Sequence, residues 1–96
     1  MTQRKGEVTK RQTDRDYPHQ VAILIPIGGL GARSMAMHAW CDARRLPYRT
    51  RADRRREPTP SDHVRFCFAD PAHADAFHAE FAGERLTIRA NQRMTR

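Results

Sequence analysis

Two stretches of the chain carry the clearest strand patterns. From Val21 to Ile27 the sequence is β-branched and apolar at successive positions, as in a strand buried on both sides. Pro26 has no N–H to give to a ladder and is expected near that strand's end. Gly28-Gly29-Leu30-Gly31 then turns the chain. From His63 to Phe68 the alternation is strict. Val64, Phe66 and Phe68 fall on one face and His63, Arg65 and Cys67 on the other. Leu86 to Arg89 alternates as a short last strand, and Tyr48 to Arg51 as a weaker one.

Between these lie two helical patterns. From Ala32 to Leu46, Ala32, Ala36, Ala39, Trp40 and Ala43 fall on one stripe, with Arg33, Asp42, Arg44 and Arg45 off it. Pro47 stops that helix. Asp70-Pro71 opens the second, with Asp70 suited to capping and Pro71 to the first helical position. Ala74, Phe77 and Phe81 recur at helical spacing, and Gly83 fits just past the end. The proline-punctuated, charged stretch Arg51 to Asp62 reads as a mobile loop.

The predicted order is β-α-β-β-α-β. With antiparallel neighbours this gives an α+β fold, a four-stranded antiparallel sheet with two helices on one face, the ferredoxin-like arrangement. The other sheet face is expected to be open. Residues 1–16 are polar and charged and read as a disordered basic arm; residues 17–90 form the single domain, and residues 91–96 a flexible tail. So small a core leaves a marginally stable monomer.

Charge changes the picture next. The formal net charge is +7, nearly all from arginine, a balance that suits anionic partners. Arginine-rich, lysine-poor composition also follows from a GC-rich genome, and the chain is similar to short proteins of such bacteria. The two cysteines, Cys41 and Cys67, are too few for a secreted disulfide framework and read as reduced, partly buried thiols. The N-terminus lacks an apolar signal core, and the longest apolar run is far below a membrane span. A cytoplasmic location without membrane attachment is expected.

Little chemistry emerges from the remaining motifs. The glycine turn is followed by Ala32-Arg33, not by the Lys-Ser/Thr pair of a phosphate-binding loop. His38 and Cys41 supply two ligands, short of a zinc site; His73 and His78 point in different directions on a helix. Cys67 and His63 share a face but lie roughly 13 Å apart along a strand, too far for a nucleophile and its base. No metal, no cofactor and no enzymatic activity are expected.

The strand period places Leu24, Pro26, His63, Arg65, Cys67, Arg85 and Arg89 on the open face. Here the residues resemble a family. Ile25-Pro26-Ile27-Gly28-Gly29-Leu30 is similar to the short motif of the RNA recognition motif domain, and His63 to Phe68 followed by Asp70-Pro71 is similar to the end of its longer motif. The resemblance covers most of Gln20 to Ala90 and implies the same β-α-β-β-α-β fold. That family stacks bases on aromatic rings. The matching places here hold Pro26, His63 and Arg65, so any stacking falls to arginine.

Two binding roles follow. In the first, Arg65, Arg85, Arg89 and His63 form a platform for RNA or single-stranded nucleic acid, with Arg51, Arg54, Arg55 and Arg56 as a flexible clamp. The pairs Arg4-Lys5 and Lys10-Arg11 would add phosphate contacts. In the second, Leu24, Pro26 and Cys67 form the apolar middle of a homodimer or other protein interface.

Overall fold

A computed structural model describes residues 10–89. The elements run α1 (Lys10–Asp16), β1 (His19–Ile25), α2 (Ala32–Ala43), β2 (Tyr48–Arg55), β3 (Ser61–Phe68), α3 (Pro71–Phe81) and β4 (Glu84–Thr87). The four strands form one antiparallel sheet in the order β2-β3-β1-β4. Central β1 pairs with β3 from His19↔Phe68 to Ile25↔Asp62 and with β4 from His19↔Thr87 to Ala22↔Glu84. β2 and β4 are the edges.

One face of the sheet packs on α2 and α3. Val21 and Ile23 of β1 and Phe66 and Phe68 of β3 meet Met37 and Cys41 of α2 and Ala74 and Phe77 of α3 in one buried cluster. Phe77 is its centre, with its ring 4.7 Å from Phe66 and 5.5 Å from Phe68, and Trp40 edge-on at 5.7 Å. Such ring pairs add to the area they bury. α3 forms as its sequence dictates: Asp70 accepts from the Ala72 N–H at 2.8 Å, and Pro71 follows at the first turn.

The alanine stripe expected on α2 is not its buried face. Ala32, Ala36, Ala39 and Ala43 are exposed, while Met37 and Cys41 are fully buried. Two larger side chains one turn apart fill the space above Phe66 better than methyl groups do. β2 also runs four residues past its expected end, to Arg55 opposite Ser61, so Arg51, Arg54 and Arg55 are strand residues and not a mobile clamp. The connection to β3 shortens to residues 56–60.

The largest departure is α1. Residues 10–16 are helical and are not part of a disordered arm. Residues 1–9 and the expected tail, 91–96, lie outside the described residues. α1 lies over the sheet face opposite α2 and α3, where its Asp14 reaches Gln20 of β1 and Arg51 of β2. Seven residues with no apolar stripe carry no helix signal, and tertiary contacts supply what propensity lacks.

Gly83 lets β4 start close against β1. Its φ is +97°, and a Cβ there would sit 2.7 Å from the Ala22 carbonyl oxygen and 2.8 Å from Ile23 Cδ1. Gly83→Ala combines a left-handed backbone with a backbone clash and is expected to cost about 1–3 kcal/mol, read as a lower denaturation midpoint in urea.

Candidate functional site

The face beneath α1 is a polar one, built by β2 and β3 register. Arg51 lies directly opposite Arg65, an arrangement of like charges that repels. Each guanidinium has its own carboxylate. Arg51 Nε donates to Asp14 Oδ1 at 3.1 Å, and Arg65 Nε donates to Asp53 Oδ2 at 2.9 Å. Gln20 links the two halves: its Nε2 donates to Asp14 at 2.9 Å, and its Oε1 accepts from Arg65 at 3.0 Å. Arg55 extends the network, donating to Asp53 at 2.8 Å and pairing with Glu84 of the far edge strand at 2.9 Å. Cys67 and Ala22 are buried on this same face.

This geometry corrects the open platform. Arg65 is 15% exposed and held between Asp53 and Gln20. Cys67 is fully buried and is no part of an apolar interface. Arg85 sits on the helical face, opposite Val21, with its Nε on Asp75 of α3 at 2.9 Å. Its side was misassigned because a single covered face requires Leu86 to point at α3. Here Leu86 is opposite Gln20, on the face that α1 covers. Arg89 is exposed beyond the end of β4, and half-buried His63 lies opposite Leu24 and Asp53. The eight residues expected to act together are therefore dispersed.

Cations without a carboxylate partner among the described residues lie elsewhere. Lys10 of α1 and Arg49 of β2 both line a cleft of about 640 Å³ along the unpaired edge of β2, with Thr13, His38, Tyr48 and Thr50. Arg49 lies over the Tyr17 ring at 4.8 Å, a cation–π contact that holds the guanidinium without neutralising it. His38 Nδ1 and the Tyr48 hydroxyl are 2.7 Å apart, and that hydroxyl donates to Asp42 at 3.3 Å. A second recess of about 300 Å³ follows at the hairpin tip, lined by Arg54, Arg55, Arg56, Pro60, Ser61 and Asp62. Arg54 there pairs with Asp62, while exposed Arg56 has no such partner. Both recesses lie along β2, so its edge is a basic rail. Sequence reading placed Arg54 and Arg55 on a loop, whereas they are β2 residues, and it did not single out Arg49.

The other surface feature is apolar. Leu24, Ile27 and Met35 are exposed, and a shallow groove between β1 and the end of α3 is lined by Ile23, Leu24, Pro26, Arg33, Phe81, Ala82 and Gly83. Leu24 and Pro26 thus share a surface, as expected, but with Ile27 and Met35 in sequence around them and not with Cys67.

Reactive chemistry is not favoured at the thiols. Burial pushes Cys67 up to about 12, with Arg51 and Arg65 opposing, and Cys41 up to about 11. Neither is a thiolate at neutral pH. Burial, followed by the nearby Asp42, raises Tyr48 to about 12, keeping its hydroxyl a donor. Among the described residues no group of three or more histidine, cysteine or acidic side chains is placed to hold a metal ion, and no helix is long and apolar enough to cross a membrane. Comparison with protein-family models, curated proteins and solved structures returns no match.

Asp53 sets the pH response of this face. Burial pulls its pKa up, but the hydrogen bonds and charges of Arg55 and Arg65 outweigh burial and hold it at about 2. A depressed acid stabilises the fold fully above its unfolded pKa of about 3.9 and loses that contribution as pH falls through the folded value. The contribution is about 2 kcal/mol for a carboxyl this buried. Acid titration of the native protein is expected to show this loss between about pH 4 and 2, and Asp53→Asn to remove that segment while lowering stability at neutral pH.

Proposed function

We propose that the chain is a small non-enzymatic binding module for single-stranded nucleic acid, RNA included, which it takes along the β2 edge and not across the sheet face. The strand order, with two connections that each skip a strand, supports a ferredoxin-like reading to which α1 is an addition. The same order accords with the likeness to the RNA recognition motif.

The observation that carries the proposal is the alignment of two basic recesses on one strand. Lys10, Arg49, Arg54 and Arg56 lie at or beside β2, which is eight residues long and so spans about 26 Å at the usual rise. A phosphate backbone is a row of anions at regular spacing, and cations distributed along one strand edge, with Arg49 and Arg54 on its opposite faces and Arg54 shared with Asp62, can meet it without reading bases. An arginine-rich strand edge also resists pairing with a neutral strand of another protein, which favours an anionic occupant. Thr50 and the outward N–H groups of β2 add neutral donors for phosphate oxygens. The Arg49–Tyr17 pair offers a flat cationic surface for a base.

Titration of a short single-stranded RNA is expected to saturate at low salt and weaken as salt rises. Arg49→Gln and Arg56→Gln should each reduce the dependence on log salt by about 0.7, with Arg85→Gln leaving it unchanged. Absence of saturable binding at low salt, or a slope unaffected by both rail substitutions, rejects the reading.

Exposed Leu24, Ile27 and Met35 favour a second reading, a protein-interaction or homodimerisation module. Three large apolar side chains around one loop, beside a groove, are the beginnings of an interface. Sedimentation of the native protein tests self-association: a concentration-dependent dimer is expected that Leu24→Glu abolishes, and a monomer at all tested concentrations removes it.

A further inference from the structure

We propose that the sheet face beneath α1 is a latent anion site, and that the Asp14 carboxylate is its built-in occupant, displaced when a phosphate group binds. The RNA part of this proposal deepens, and rests on, the nucleic-acid reading above; the anion site itself stands on geometry alone.

Two guanidiniums and a carboxamide converge on Asp14's neighbourhood. Arg51 offers Nε at 3.1 Å and Nη2 at 3.5 Å, and Gln20 offers Nε2 at 2.9 Å. Arg65, the cross-strand partner of Arg51, is tied to the same Gln20. These are the donors that a phosphate oxygen takes from a protein, fork-like and fixed on a sheet. The carboxylates of this face divide by origin. Asp53 and Glu84 come from the sheet itself and serve Arg55 and Arg65. Asp14 comes from α1 and, among the described residues, is the carboxylate paired with Arg51. With α1 lifted, Arg51 would stand unneutralised beside Arg65, with Gln20 free to turn its amide to a new acceptor.

α1 is held to the sheet through polar side chains, Asp14 reaching Gln20 and Arg51. It has seven residues, too few for a self-sustaining helix, and its buried residue is Thr13. The polar contacts that hold it include those of Asp14 and the Tyr17–Arg49 stack that follows it. Elements held this way open at low free-energy cost. Lys10, on the same helix, lines the β2 cleft. A strand of phosphates on the rail therefore arrives beside the element it would displace. An anion that binds only the opened form shifts the equilibrium by its affinity for that form alone.

Three proteins test the proposal: native, Asp14→Asn, and Asp14→Asn with Arg51→Gln. Asn keeps the shape and an acceptor for Gln20 but removes the charge. Inorganic phosphate, against chloride at equal ionic strength, is expected to raise the melting temperature of Asp14→Asn more than that of the double variant, whose rise measures the general stabilisation that phosphate gives by exclusion from the surface. A single-stranded oligouridylate is expected to bind Asp14→Asn about tenfold more tightly than native protein, the worth of one charge-assisted hydrogen bond, with the gain lost in the double variant. Opening also uncovers Cys67, so phosphate should speed its reaction with a small thiol reagent in native protein, located by mass spectrometry. That arm serves if Asp14→Asn fails to fold.

The outcomes separate the two claims. Phosphate stabilisation that depends on Arg51, without oligouridylate binding to any of the three, supports the anion site and rejects the nucleic-acid reading. Oligouridylate binding to native protein, unchanged by Asp14→Asn and with no Arg51-dependent phosphate effect on melting and none on Cys67, keeps the nucleic-acid reading and overturns the latent site. If Asp14→Asn does not fold, unchanged Cys67 reactivity in phosphate overturns it alone.

Discussion

Arg51 and Arg65 face each other across neighbouring strands, and that repulsion governs how this molecule is built. Two guanidiniums in direct register weaken the pairing of β2 and β3 unless carboxylates lie within reach. Asp53 supplies one from within the sheet and Asp14 the other from α1. The position of α1 thus follows from charge balance on the sheet and not from an apolar stripe of its own. The coverage of Cys67 and the half-burial of Arg51, Arg55 and Arg65 follow in turn. Partly buried ion pairs of this kind owe their value to mutual dependence: removing one partner leaves the other desolvated and unmatched.

The two faces of the sheet are consequently held by different forces. The face toward α2 and α3 is aromatic and aliphatic, with Phe66, Phe68 and Phe77 in mutual contact, and its cohesion is insensitive to pH and salt. The face toward α1 is ionic and responds to both. A small domain that divides its layers in this way can loosen one while keeping the other. Its fixed layer sets the position of β2, and the labile layer sets which cations β2 and β3 present. The rail on the β2 edge belongs to the first category, because β2 is positioned by backbone pairing to β3 over its whole length.

Much of the chain was legible before any coordinates. Alternation in His63 to Phe68 located β3 and divided its faces correctly, because strict period two with large aromatic residues has one solution on a sheet with a dry side. The Asp70-Pro71 start and the Gly83 stop bounded α3 for local steric reasons. The failures share one cause. The stripe on α2, the end of β2, the side of Arg85 and the existence of α1 all depend on what packs against a residue: alanine is tolerated on either side, and arginine or aspartate is covered only where a partner distant in the chain meets it. Among the candidate site residues, Arg54 and Arg56 line the recess at the hairpin. Arg65 and Arg85 are bound instead to Asp53 and Asp75, acidic partners that stand 12 and 10 residues away in the chain.

Local physics in the sequence alone determined the class of fold, the principal strands, the capped third helix and the basic character of the chain. Apolar periodicity, glycine and proline act over a few residues and can be read there. Tertiary structure alone decided which arginines pair with internal carboxylates and which, among the described residues, do not. Ion pairing joins groups far apart in the chain, with energies too context-dependent for spacing to forecast, and so the useful charges could be counted in the sequence but not located.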